Sequence, residues 1–135
     1  IYAAMAVPFG SLSDRIGRIK TMFIGWIVYA GVYLGFAFAS QSLMIWLLYG
    51  LYGIYYAMSE GVAKAFLADM VALGHRGKAF GIYGTTIGIA TLPASFFAGF
   101  LWDRFGPQAP FYFSAIIAGM AAILLIVFSK KLRIL

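Results

Sequence analysis

Four stretches of this chain, 21–39, 43–69, 79–101 and 111–129, hold few or no charges and are each close to the ~20 residues a helix needs to cross the hydrocarbon core of a bilayer. The runs are continuous rather than alternating and too long for barrel strands. They predict an all-α fold, a polytopic membrane helical bundle. A shorter apolar run, 1–9, precedes them and reads as the end of a further helix. It opens without an initiator methionine or a signal-peptide n-region, so the chain is expected to be a fragment. Composition agrees: 64% hydrophobic and 10% charged residues, with a mean hydropathy of +0.94, lie outside the range of soluble domains.

The formal charge of +6 does not point to nucleic acid, because the basic residues sit in short connections between apolar runs. Arg15, Arg18 and Lys20 fall in one connection, Arg76 and Lys78 in another, and Lys130, Lys131 and Arg133 in the tail; the other two connections hold only Arg104. With alternating helices the three basic segments share one side, which is expected to be cytoplasmic. Trp46 and Trp102 then lie near the outer interface and Trp26 near the inner one. The chain has no cysteine, and His75 is its single histidine. No disulfide framework, thiolate metal site or multi-histidine site is expected, and no cofactor.

The connection at 10–20, GSLSDRIGRIK, lets Gly10 end one helix, Asp14 cap or pair, and Gly17 turn the backbone. Its first eight residues recur as GFLWDRFG at 99–106, with five of eight positions identical. Three helices separate the copies, which places them on opposite faces of the membrane, as an inverted three-helix repeat requires. The alternative is that the pattern merely suits any tight interhelical turn.

The pattern G-x-L-x-D-R-x-G-R-x-K at 10–20 closely resembles the signature loop of the major facilitator superfamily of secondary transporters. Further resemblance lies in EGVAKAFLAD at 60–69, RGKAFG at 76–81, LPAS at 92–95 and GFLWDRFGP at 99–107. The resemblance implies two six-helix halves, with residues 1–135 forming part of the C-terminal half from the end of the eighth helix to the twelfth. It also implies a multi-pass place in the inner or plasma membrane, and partners in the lipid bilayer and the remaining helices. Asp14, Arg15 and Arg18 resemble the family residues that lock the cytoplasmic helix ends in one state of the cycle. Asp69 and Arg76 resemble an acidic-x6-arginine pattern at the end of the tenth helix. Together with Gly10 and Gly17 they form the expected signature and gate; the alternative is that these charges only set topology.

Glu60 is a carboxylate within a membrane run, costing about 2.5–3.5 kcal/mol on insertion scales, so it should face a cavity or a partner. Lys64, one turn on, can pair with it; proton coupling is the other role open to Glu60. At about 100° per residue Tyr49, Tyr52, Tyr56 and Glu60 fall within roughly 80° of arc, which suggests a face lining a substrate cavity. Tyrosines also anchor at membrane interfaces. Gly50, Gly53, Ala57 and Gly61 form an adjoining small-residue stripe for helix packing, and Leu47, Leu51, Ile54 and Met58 a sector expected to meet lipid. Pro93 permits a kink or merely sits in a tightly packed span, and Thr85, Thr86 and Thr91 can satisfy freed carbonyls.

The expected function is secondary transport of a small solute by alternating access, with proton-coupled efflux of a small organic molecule as its sharper form. The alternatives are a membrane enzyme or assembly factor reusing a helical bundle, and a passive channel. The sequence offers no nucleophile–base pair, metal-ligand cluster or phosphate loop for an enzyme, and a channel needs rings of aligned polar groups rather than an inverted repeat.

Overall fold

The computed structural model describes residues 1–131; Arg133 of the basic tail lies outside them. The chain forms α1 (Tyr2–Ile16), α2 (Arg18–Phe38), α3 (Ser42–Met70), α4 (Arg76–Phe105) and α5 (Ala109–Lys131), with a 3₁₀ turn at Leu73–His75, and no strand among the described residues. Connections this short make successive helices run in opposite directions. Arg18 on α2 reaches Asp69 near the end of α3. At the other end Phe36 of α2 meets Tyr49 of α3 and Phe111 of α5.

The helices outlast the apolar runs. Gly10 does not end α1, which continues to Ile16 and makes the expected break at Gly10 a misreading. Apolarity stops near Phe9, but helical geometry does not require it. Ser11 and Ser13 fold their hydroxyls back onto the Pro8 and Gly10 carbonyls, at 2.8 and 2.7 Å, so polar side chains are satisfied within the helix. The break comes at Gly17, with φ 100° and ψ 143°, and α2 starts at the next residue. What reads as a loop is a single residue between two helices. Gly106 ends α4 in the same way, with φ 92° and ψ 171°. Each of these glycines donates its N–H to the carbonyl four residues back, Ser13 and Trp102 respectively. The two copies of the D-R-x-G pattern therefore stop their helices by one device.

α2 is the hub of the packing, lying most extensively against α5 and α3. Two of its glycines let α3 approach. A Cβ built on Gly35 would stand 2.6 Å from Leu48 Cδ2, and one on Gly25 would stand 3.1 Å from Met58 Cβ. Met58 is consequently buried, which corrects its expected place toward lipid, while Leu47 and Leu51 remain exposed. α1 lies on the small-residue stripe of α3, where Ile1 would touch a Cβ on Gly50 or Gly53 at 3.3 Å.

α2, α5, and α4 with its preceding turn are long and apolar enough to cross a membrane. α3, though 29 residues long, is not among them, because Tyr49, Tyr52, Tyr55, Tyr56, Glu60, Lys64 and Asp69 dilute its apolar content. α3 packs between α1, α2 and α4. α4 contributes no buried residue and runs as one helix through Pro93. Thr86 and Thr91 bond the Ile82 and Ile87 carbonyls, each at 2.8 Å, rather than the Ile89 carbonyl whose partner Pro93 removes.

Candidate functional site

At the end where α1, α2 and α3 meet, Arg18 uses its whole fork. Nη2 pairs with Asp14 Oδ1 at 2.8 Å and Nε donates to Asp69 Oδ2 at 3.0 Å. Nη1 donates to Ser13 Oγ at 2.6 Å. The Gly17 break makes this possible, because it turns the chain so that α2 begins with Arg18 beside the last turn of α1. Of the three bonds only the one to Asp69 crosses to another part of the fold. The pairing residues are open to water, with side-chain exposures of 57% for Asp69 and 23% for Arg18, so the crossing bond is worth no more than about 1 kcal/mol. A contact of that strength can hold helix ends together and still yield to a modest competing force.

Arg15 and Arg76, grouped with these residues in the sequence, stand apart from the fork. Arg15 lines a shallow outer hollow with Pro8, Phe9, Ser11 and Leu12. Arg76 donates from Nε to the Val71 carbonyl at 3.4 Å and closes the turn between α3 and α4. Gly10 lies within α1 as an acceptor for Ser13. Ser13 itself escaped sequence reasoning. It is 1% exposed, and its hydroxyl both accepts from Arg18 and donates to Gly10. A serine at an unconstrained place in the pattern carries no signal of its own beyond lying one turn from a basic residue.

Further along α3, Glu60 Oε1 and Lys64 Nζ lie 2.7 Å apart, with Glu60 the more covered of the two. Tyr52 and Tyr56 pack against other rings, although Tyr56 remains exposed. Tyr2 of α1 meets Tyr56 edge-on at 5.4 Å, and Tyr33 of α2 lies 6.2 Å from Tyr52. Tyr55, absent from the expected stripe, joins the cluster through Tyr29 at 4.7 Å. Ser59 bonds the Tyr55 carbonyl at 3.0 Å. Tyr49 remains exposed near the start of α3. The arrangement joins a carboxylate, shielded by its own lysine, to a band of aromatic rings that runs toward the opposite end of the bundle.

The chain spans about a third of the length of the curated relatives it matches. It is 44% identical to an uncharacterized MFS-type transporter of Methanocaldococcus jannaschii, over 93% of this chain and 31% of the relative. It is 32% identical to the class B tetracycline resistance protein of Escherichia coli, over 87% of this chain and 30% of that protein. It is 29% identical to multidrug resistance protein 2 of Bacillus subtilis, over 86% and 29%. No solved structure matches the chain significantly. The Major Facilitator Superfamily profile aligns with residues 1–133, covering the Gly17 break, the Arg18 fork and the Glu60–Lys64 pair alike. A helical bundle with this junction and this profile identifies the chain as a multi-pass membrane segment belonging to the Major Facilitator Superfamily of transporters.

Proposed function

We propose that this chain forms the eighth to twelfth helices, in the C-terminal half, of a secondary transporter in the inner or plasma membrane. The transporter moves a small organic molecule by alternating access and exports it in exchange for protons. The observation that carries the reading is the single Arg18–Asp69 bond across α2 and α3 at 3.0 Å. Every other polar contact of the fork is local to the α1–α2 junction, so one exposed bond distinguishes a closed helix end from an open one. Similarity to proteins named for tetracycline and multidrug resistance supports export of a small organic molecule. Glu60, paired with Lys64 at 2.7 Å and next to the tyrosine band, is the carboxylate placed to exchange a proton as the cavity changes sides.

The test uses the full-length transporter in proteoliposomes, with labelled tetracycline and a panel of small organic molecules. Saturable counterflow is expected for at least one of them, whereas flux that rises linearly with concentration identifies a passive channel. Glu60→Gln keeps the shape and hydrogen bonding of the side chain but cannot carry the charge change. It is expected to abolish accumulation driven by a pH gradient while leaving counterflow. Accumulation by the Gln variant reduces Glu60 to the partner of Lys64.

A further inference from the structure

We propose that the furrow where α2 packs on α5 binds an anionic phospholipid, with its phosphate between Lys20 and Lys130 and an acyl chain lying along the furrow. The inference rests on the membrane placement of the chain and is independent of what it transports. The exposed residues of α2 are Lys20, Ile24, Ile27, Gly31, Leu34 and Phe38, and their alternating spacing of four and three puts them in one stripe. At one end this stripe borders α5, because Phe38 meets Tyr112 edge-on at 5.6 Å. Lys20 stands eighteen residues before Phe38, and Lys130 eighteen after Tyr112. Eighteen residues make five full helical turns, so each lysine lies in line with its ring on the same face of its helix. α2 and α5 run in opposite directions and lie against one another most extensively of all helix pairs. The buried residues of α5, Ala115, Ala122 and Ser129, carry that contact down to the residue before Lys130. The two lysines therefore flank the far end of the furrow that the two rings close.

Between the rings and the lysines the furrow is apolar and open. Ile27 and Ile123, each eleven residues from its ring, are 48% and 63% exposed. Gly31 and Gly119 face each other at seven residues from the rings, and a Cβ on either would meet nothing within 4 Å, so no side chain fills the floor there. From Lys20 to Gly31 the helix rises about 16 Å, close to half of a hydrocarbon core of about 30 Å and thus the depth of one leaflet. The chain supplies no counter-charge for the lysines. Of its four acidic residues, Asp14 and Asp69 bond Arg18 and Glu60 bonds Lys64. Asp103 lies in the last turn of α4, at the opposite end of the bundle, where α5 begins. A phosphate diester at the membrane surface provides the missing negative charge, and each lysine there is worth about fivefold in affinity for an anionic lipid. Lys131 is set about 100° further round α5 and lies off the furrow.

The experiment places a bimane on Ile27→Cys in an otherwise cysteine-free full-length transporter held in phosphatidylcholine vesicles. The probe is quenched by phosphatidylglycerol brominated at mid-chain or by phosphatidylcholine brominated at the same carbons. Phosphatidylglycerol is expected to associate at least tenfold more tightly than phosphatidylcholine. Lys20→Gln and Lys130→Gln are each expected to lower that ratio about fivefold, and the two together to abolish it, whereas Lys20→Arg and Lys130→Arg keep it. Lys131→Gln is expected to change it less than twofold. The same label on Leu34→Cys, beyond the glycines and in the other leaflet, is expected to show no preference between the lipids. Equal association of the two lipids at Ile27 overturns the proposal. So does a loss with Lys131→Gln as large as that with Lys130→Gln, which marks diffuse surface charge. Absence of quenching by either lipid also overturns it, since the furrow is then covered by another helix of the transporter or by a second copy.

Discussion

Replacing Asp69 by Asn removes the charge from the one side-chain bond that, among the described residues, ties the α1–α2 junction to α3, and the structure sets how much that should matter. Arg18 keeps Asp14 at 2.8 Å and Ser13 at 2.6 Å, so no bare guanidinium is left behind. The loss is that of an ion pair whose acidic partner is 57% exposed, about 0.5–1 kcal/mol, and no desolvation penalty adds to it. In a two-state gate about 1 kcal/mol shifts the equilibrium roughly fivefold toward the open form. Arg18→Ala removes both pairs and deprives the buried Ser13 hydroxyl of its donor, so its effect should be larger, on the order of tenfold or more. Asp14→Asn breaks a bond within the junction and leaves the crossing bond intact, so it should change the gate less than twofold. The assay is the rate at which a membrane-impermeant maleimide labels a cysteine at Gly61, where a new side chain meets nothing within 4 Å, in an otherwise cysteine-free full-length transporter. The expected order of rates is Arg18→Ala, then Asp69→Asn, then Asp14→Asn close to the parent. An Asp69→Asn rate no higher than that of Asp14→Asn refutes the assignment of the crossing bond as the element that holds the inner side shut.

Gly25→Ala is expected to destabilise the protein by about 1–2 kcal/mol in detergent unfolding, since its new Cβ meets Met58 Cβ at 3.1 Å and that atom moves only with the α3 backbone. Gly35→Ala is expected to cost less despite a nominal 2.6 Å approach, because the atom it meets, Leu48 Cδ2, can rotate away; a larger loss at Gly35 refutes this view of the α2–α3 contact. Gly17→Ala is expected to cost about 1–3 kcal/mol, since φ 100° with ψ 143° is a conformation almost confined to glycine. Wild-type thermal stability in that variant shows that the α1–α2 break has been misread. Cysteines at Ser11 and Gln41, both exposed, are expected to label from opposite sides of the membrane, and same-side labelling overturns the assigned orientation.

The sequence shows what kind of fold the chain makes, because runs of apolar side chains are long enough to read without neighbours. It reads the ends of helices poorly. Gly10 looks like a terminator, yet the helix runs on because serine hydroxyls bond inside it, and nothing in the alternation of apolar and polar residues distinguishes a helical polar turn from a loop. The Glu60–Lys64 pair was legible from spacing along one helix, since residues four apart lie on the same face within reach of each other. The split between Arg18, which gathers partners, and Arg15 and Arg76, which do not, was not legible. It depends on where α3 lies against the α1–α2 junction, and that is set by contacts between glycines and side chains far apart in the chain, such as Gly25 with Met58. For the same reason Met58 was assigned to lipid. Periodicity sorts a helix into faces but does not say which neighbour each face will meet.

The break at Gly17 gives the junction the mechanics of a lever. With one residue between α1 and α2, a change in their angle is concentrated in a single pair of backbone dihedrals. α1 is 15 residues long, and at 1.5 Å per residue it forms an arm of about 22 Å, so a turn of about 5° at the pivot carries its far end about 2 Å. That far end is where Ile1 rests on Gly50 and Gly53 of α3. Beside the pivot stands Arg18 with its bond to Asp69. A turn of a few degrees next to the charged end is thereby a displacement the size of a methyl group where α1 meets Gly50 and Gly53.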